Sequence, residues 1–85
     1  MENIHILGID LAKRTFAICG ADKNGYVKIR QKLTRPQFQK TLSELTPCII
    51  AMEACGSAHH WGRVAQAVGH EVRLIPAQYL SLIHI

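Results

Sequence analysis

The chain has 85 residues, of which 48% are hydrophobic, and this content indicates a globular protein and excludes a disordered tail. A chain of this length forms at most one small domain and buries only about 60% of its unfolded surface. No apolar run reaches the ~18 residues of a membrane span, and the start Met1-Glu2-Asn3 argues against a signal peptide. We therefore expect a cytoplasmic protein with no membrane partner.

Ten Lys and Arg residues against six Asp and Glu residues give a formal charge of +4. This balance favours a polyanionic partner such as nucleic acid, although many small domains carry the same charge. The cysteines Cys19, Cys48 and Cys55 are odd in number and form no C-x-x-C pair, which excludes a disulfide framework and a zinc ribbon. Because Cys19 and Cys48 lie in apolar stretches, we expect both in the core.

The first third of the chain predicts three strands. Residues 4–10 are nearly all apolar, which is typical of a central strand covered on both faces. Residues 15–21 predict a second strand, the stretch from Asp22 to Gly25 predicts a turn, and residues 26–33 predict a third strand. Three basic side chains of the third strand share one face: Lys28, Arg30 and Lys32. This pattern is typical of an edge strand that avoids aggregation.

A helix follows the third strand. Thr34 is its N-cap, Gln37 completes a capping box, and Pro36 is tolerated in the first turn. Its apolar face contains Phe38, Leu42 and Leu45. Thr46-Pro47 ends the helix, and residues 48–53 predict a fourth strand.

The last part of the chain predicts one more helix and one more strand. Ser57 is a candidate N-cap for a helix over about residues 58–68, and Gly69 is its C′ residue. The apolar stripe of this helix contains Trp61, Val64, Ala65 and Val68. Residues 70–75 predict a fifth strand, which Pro76 closes.

The predicted order is therefore β-β-β-α-β-α-β. A hairpin meander followed by alternating helices and strands indicates an α/β fold with a mixed five-stranded sheet. This is the order of the ribonuclease-H-like fold. In that arrangement the fourth strand lies beside the first, so Asp10 and Glu53, which close these strands, would be neighbours.

The pair Asp10 and Glu53 is a candidate metal site. Magnesium prefers oxygen ligands and is commonly held by one or two carboxylates plus substrate phosphate. Two such ions about 4 Å apart would clamp the attacking and leaving oxygens of a phosphodiester, and this usually takes three or four carboxylates. The alternative is that Asp10 is a strand-end turn residue and Glu53 a solvated loop residue.

Other polar residues are weaker candidates. Lys13 and Arg14 would contact phosphate as a point charge and a fork respectively, with a solvated turn as the alternative. Ser57 has no base at a defined spacing, and nothing orients a third group for Cys55. The pair His59-His60 lacks the i, i+4 spacing of a helical metal site.

Four stretches of the chain resemble the N-terminal domain of the DEDD-type insertion-sequence transposases, which are recombinases guided by a bridge RNA. These stretches are Ile9 to Lys13, the hairpin from Asp22 to Gly25, Met52 to His59, and Gly69 to Tyr79. Together the matches extend in register over about residues 4–79.

The resemblance implies a RuvC-like domain with a four-acid site, in which Asp10 would be the first acid and Glu53 the second. It also implies Mg²⁺ as cofactor, DNA and a guide RNA as partners, a homo-oligomer and a prokaryotic host. In that family the other two acids and a domain with a catalytic serine follow the Tyr79 region. We therefore expect residues 1–79 to be a partial domain, incomplete at the C-terminus and inactive alone as a recombinase.

Residues 80–85 depart from the family, in which a charged continuation is expected. The hexapeptide from Leu80 to Ile85 resembles a one-frame translation of the adapter used in transposon-based sequencing libraries. We therefore expect an adapter-derived tail, and the frameshifted end of a decayed element is the alternative.

Two other classes of function compete with a transposase fragment. A nucleotide-binding ATPase or sugar-kinase half-domain also starts with a Gly-Ile-Asp strand and an early hairpin. Its phosphate-binding turn needs Gly and Thr or Ser after the aspartate, whereas this chain has Leu11-Ala12-Lys13 there. The third hypothesis is a non-enzymatic remnant, which is compatible with the first.

Overall fold

The computed structural model of the chain describes residues 4–11, 15–53 and 56–76. The elements in chain order are β1 (Ile6–Leu11), β2 (Phe16–Ala21), β3 (Val27–Leu33), α1 (Arg35–Glu44), β4 (Ile49–Glu53), α2 (Gly56–Ala67) and β5 (Glu71–Ile75). All seven predicted elements are present in the predicted order, and the predicted α/β class is confirmed.

The five strands form one mixed sheet in the order β3-β2-β1-β4-β5. The meander β1-β2-β3 is antiparallel, whereas β4 runs parallel to β1 and to β5. The prediction that the fourth strand lies beside the first is therefore confirmed. This topology is compatible with a ribonuclease-H-like fold.

One face of the sheet, called the helix face, carries large apolar side chains. The pairs Leu11↔Phe16, Ile9↔Ile18 and Ile9↔Met52 place these residues on the same side of the sheet. Both helices of the described part of the chain pack here. Phe38 of α1 stacks on Phe16 at 4.6 Å between ring centroids, and Trp61 of α2 meets Phe16 edge-on at 5.1 Å. The prediction that Trp61 is a core residue is confirmed.

The opposite side, called the Asp10 face, carries Ile6 and Ile49 at one end and small or charged side chains towards the other. Pairing puts Gly8 beside Cys19 and Ala51, and puts Asp10 beside Ala17. Because side chains alternate along a strand, each central strand contributes large apolar groups to one face and these smaller groups to the other.

The turn between β2 and β3 is organised by Asp22. Its carboxylate accepts hydrogen bonds from the backbone N–H groups of Asn24 and Tyr26, and its carbonyl accepts one from Gly25. Gly25 has φ +87°, a conformation that glycine adopts without strain. The predicted turn is confirmed, with Lys23 and Asn24 as its central residues.

Two predicted helix signals are confirmed, the capping box at the start of α1 and the glycine stop at the end of α2. The Thr34 side chain accepts from the N–H of Gln37, and the Gln37 side chain accepts from the N–H of Thr34, which is a full capping box. After α2, the Gly69 N–H donates to the Gln66 carbonyl and the His70 N–H donates to the Ala65 carbonyl. With φ +97° at Gly69, this is a Schellman stop.

The boundaries of α2 correct the prediction. The helix begins at Gly56, so Ser57 lies inside its first turn and does not precede it as a cap. The helix ends at Ala67, so Val68 lies in the following turn with 40% of its surface exposed and not on the buried stripe.

The strand ends also differ from the prediction. β1 continues through Leu11, which makes Asp10 its penultimate residue. The other four strands begin one residue later than predicted. Two of these residues use their backbone elsewhere: the Tyr26 carbonyl accepts from Asp22 in the turn, and the His70 N–H closes the Schellman stop.

A buried polar network joins α1 to the residues that directly precede β4 and β5. The Nδ1 atom of His70 accepts from the Cys48 N–H at 3.1 Å, and its Nε2 atom lies 2.7 Å from the Leu42 carbonyl. A carbonyl only accepts, so these contacts select the neutral ring with its proton on Nε2. Cys19 and Cys48 are buried as predicted, and desolvation raises the pKa of the Cys48 thiol to about 11.

Neither helix in the described ranges is long and apolar enough to cross a membrane, since α1 has 10 residues and α2 has 12.

Candidate functional site

Asp10 and Glu53 occupy adjacent positions on neighbouring strands at one end of the sheet, as predicted. The parallel ladder between β1 and β4 ends at the pair Ile9↔Met52, and the next residue on each strand is Asp10 and Glu53. The same register puts both carboxylates on the Asp10 face. Neighbouring strands lie about 4.8 Å apart, so the two backbone positions are adjacent.

Apolar burial fixes the backbone beneath the two acids. Ile9 and Met52, which precede them, are fully buried on the helix face at 0% exposure. Asp10 itself is exposed and Glu53 is half-buried. The strands are therefore anchored from one side, while the acids on the other side stay accessible to an ion or a phosphate.

The donor set of this pair suits magnesium. Both side chains offer carboxylate oxygens, which are the ligands that Mg²⁺ prefers, and Mg²⁺ keeps several waters. Within the described residues no group of three or more His, Cys, Asp or Glu side chains is placed to hold a metal. Two carboxylates fit the part of a magnesium shell that protein supplies, with water and phosphate completing it.

Basic residues of β3 lie across the same face. The pairs Asp10↔Ala17 and Ala17↔Lys32 place Lys32 in the same row as Asp10, two strands away. The pairs Gly8↔Cys19 and Cys19↔Arg30 likewise place Arg30 in the same row as Gly8, two strands away. The sequence pattern alone assigned these lysine and arginine side chains only to edge protection, because their position relative to Asp10 depends on the register of three strands.

The remaining candidates lie apart from the acid pair or beyond the described ranges. Lys13, Arg14 and Cys55 fall outside the residues that the structure describes. His59 and His60 are exposed on α2, and no metal cluster includes them within the described part of the chain.

A surface cavity of about 450 Å³ lies at the far end of the sheet. Its lining includes His5, Asp22, Lys23 and Lys28. His5 precedes Asp10 by five residues of extended chain, about 17 Å. This cavity is therefore separate from the acid pair.

The molecule is thus an α/β protein whose central parallel strands carry two adjacent carboxylates, with a basic edge strand on the far side of β2. Its relatives are insertion-sequence transposases. A protein of Pseudomonas aeruginosa named as a probable family 20 transposase is 45% identical over 79 residues, which is 93% of this chain and 23% of that protein.

Two further relatives carry similar names. The transposase for insertion sequence element IS1328 of Yersinia enterocolitica is 39% identical over 94% of this chain and 24% of its own length. The transposase for IS1111A of Coxiella burnetii is 39% identical over 95% of this chain and 22% of its own length. These matches confirm the resemblance to insertion-sequence transposases and make the chain a homologue of part of such proteins.

The chain spans less than a quarter of the length of these relatives. No protein-family model matches it, and no solved structure matches it significantly.

Proposed function

We propose that this chain is a fragment of a transposase in which Asp10 and Glu53 hold Mg²⁺ for phosphoryl transfer on DNA. The observation that carries the proposal is the placement of the two acids next to each other, on the same face, at the end of the central parallel pair. The names of the relatives favour this function over the ATPase or sugar-kinase alternative.

The chemistry of the site supports the same proposal. A magnesium ion at these oxygens would neutralise charge on a phosphate and activate an attacking oxygen. The protein contributes the two carboxylates, held by strands whose neighbouring residues Ile9 and Met52 are fully buried. Lys13 and Arg14 follow Asp10 in the chain and remain candidates for phosphate contact.

The wider assignment is a RuvC-like, DEDD-type domain in a bacterial cytoplasm. In the complete protein, two further acids, a serine-bearing domain, a guide RNA and further copies of the chain would complete the machinery. Because this fragment supplies two carboxylates, we expect weak metal binding, in the millimolar class, and no recombination by the fragment alone.

Metal binding by the 85-residue chain tests the proposal directly. Paramagnetic Mn²⁺, which takes the same oxygen ligands as Mg²⁺, should broaden the amide signals around Asp10 and Glu53 in a ¹⁵N-labelled sample. Excess Mg²⁺ should reverse the broadening, and Asp10→Asn and Glu53→Gln should each weaken it.

Glu44→Gln is the matched control, because Glu44 is an exposed carboxylate on α1, away from the Asp10 face. It should leave the broadening unchanged. Broadening that persists in an Asp10→Asn, Glu53→Gln double variant would contradict the site assignment.

A further inference from the structure

We propose that Arg30 and Lys32 of β3 bind backbone phosphates of the DNA strand that reaches Asp10 and Glu53. The inference rests on the proposed function, since it names the residues that hold DNA beside the acid pair. The two side chains are called the β3 strip.

Strand register places the β3 strip on the face that carries the acids. Lys32 pairs with Ala17, which pairs with Asp10, so all three positions form one row across the sheet. Two strand spacings, about 10 Å, separate Lys32 from Asp10 along this row. One strand of duplex DNA has a phosphate every 3.4 Å or so along the helix axis. A DNA strand crossing this face therefore brings several phosphates within range of both groups.

The floor between the basic and acidic groups is made of small side chains. Ala17 separates Lys32 from Asp10, while Cys19 and Gly8 lie in the neighbouring row. No side chain larger than cysteine stands at these central positions. Gly8 and Cys19 are buried, whereas Lys32 and Asp10 at the two ends of the Asp10 row are exposed, so these two groups are the ones that a phosphate backbone would contact.

The positive charges of the β3 strip are accessible to a ligand. Arg30 and Lys32 are exposed, and neither forms an ion pair within the described residues. By contrast, Lys28 lies 3.8 Å from Asp22, and Arg73 is paired with Glu71 at 2.6 Å. Two cations that have no ion-pair partner among the described residues share a face with two carboxylates, and this charge pattern suits a polyanionic substrate that a metal ion helps to bind.

Edge protection explains the same charges in another way. Lysine and other charged side chains on an edge strand hinder pairing with a second sheet, and any polar, twisted edge serves that purpose. Phosphate binding needs positive charge at these particular positions. Glutamine substitutions separate the two explanations, because they keep the edge polar and remove the charge.

DNA is the occupant favoured here, because an insertion sequence is a DNA element and the relatives are named for acting as its transposases. A guide RNA carries the same phosphates, and the experiment therefore includes an RNA of identical sequence.

The test is the affinity of the 85-residue chain for a fluorescent single-stranded DNA, measured by anisotropy over a range of salt concentrations. The double variant Arg30→Gln, Lys32→Gln should lose about 10- to 50-fold in affinity near 0.1 M salt, and the slope of log K against log salt should fall by about 1.4. These values follow from the loss of two phosphate contacts on a single strand.

The matched control is Arg35→Gln, Lys40→Gln, which removes the same charge from exposed positions of α1. It should retain affinity within about threefold and keep the salt slope. A charge-preserving variant, Arg30→Lys with Lys32→Arg, should also retain affinity, which separates lost charge from lost folding.

Three results would overturn the proposal: equal losses in the β3 and α1 double variants, no binding by the unmodified chain at low salt, or a loss confined to RNA. The Mn²⁺ broadening around Asp10 should persist in the β3 double variant. Failure of the metal site and failure of the β3 strip are therefore distinguishable.

Discussion

The two faces of the sheet are built from the same strands and differ in composition. On the helix face, Phe16, Phe38 and Trp61 pack ring against ring and exclude water. On the Asp10 face, the residues near the acids are small or charged, and Ile6 and Ile49 lie at the far end. The side-chain period of two places adjacent residues such as Ile9 and Asp10 on opposite faces, so the core and the proposed metal site are divided between the two faces.

The strongest test of this division is catalysis. In a chimera, residues 1–79 of this chain replace the matching segment of the Pseudomonas aeruginosa relative, and transposition is counted in cells. Asp10→Asn or Glu53→Gln should lower transposition by at least about 100-fold, because metal stabilisation of phosphoryl transfer is worth several kcal/mol.

The same two substitutions should leave the free energy of unfolding nearly unchanged. Urea unfolding of the 85-residue variants, followed by circular dichroism, should show changes within about 0.5 kcal/mol, since both side chains avoid the core. The Glu44→Gln chimera should transpose normally. Full transposition by the Asp10→Asn chimera would contradict the assignment of catalysis to the Asp10 face.

Truncation on the helix face should act on folding. Phe38 is fully buried and contacts both Phe16 and Trp61. Phe38→Ala should lower the free energy of unfolding by about 3–5 kcal/mol, a large share of the stability of a small domain. Phe38→Leu fills more of the cavity and should cost less, and the same urea titration measures both variants. A Phe38→Ala chain as stable as the parent would contradict the assignment of the aromatic cluster to the core.

The buried His70 side chain gives a further test of the helix face. His70 is 4% exposed and satisfies the Cys48 N–H and the Leu42 carbonyl. His70→Ala leaves both groups buried without this partner, so we expect a loss of about 1–3 kcal/mol in unfolding free energy. Hydrogen exchange should accelerate at the Cys48 amide. His5→Ala, which changes an exposed histidine, is the control and should leave stability unchanged.

Local signals in the sequence predicted most of the fold. The Thr34 capping box, the Gly69 stop and the turn from Asp22 to Gly25 involve residues close in the chain, and all three were confirmed. The apolar run ending at Asp10 and the run ending at Glu53 predicted two central strands, and the expected topology then made the acids neighbours.

Those local signals could not predict the register between paired strands or the contacts between residues far apart in the chain. The ladder between β2 and β3 shifts between Gly20 and Ala21, and this irregularity is one of the features that decide which β3 residues fall beside Asp10. The position of Lys32 in the Asp10 row follows from it. The bond from the Cys48 N–H to His70 likewise joins residues 22 apart in the chain, which no spacing pattern indicates.

The smallest expected effect concerns the Cys48 thiol on the helix face. Burial raises its pKa from 9.0 to about 11, so the folded state holds the thiol proton more tightly than the unfolded chain does. Its contribution to stability should be complete below pH 9.0 and decline as pH rises towards about 11. Urea unfolding across this range should show the decline, and Cys48→Ala should flatten the part of it that the thiol causes. Identical pH profiles for the parent and Cys48→Ala would contradict burial of the thiol as the cause of the decline in stability. A flatter profile for Cys48→Ala would attribute the decline to burial of the thiol in the same core that buries Ile9 and Met52.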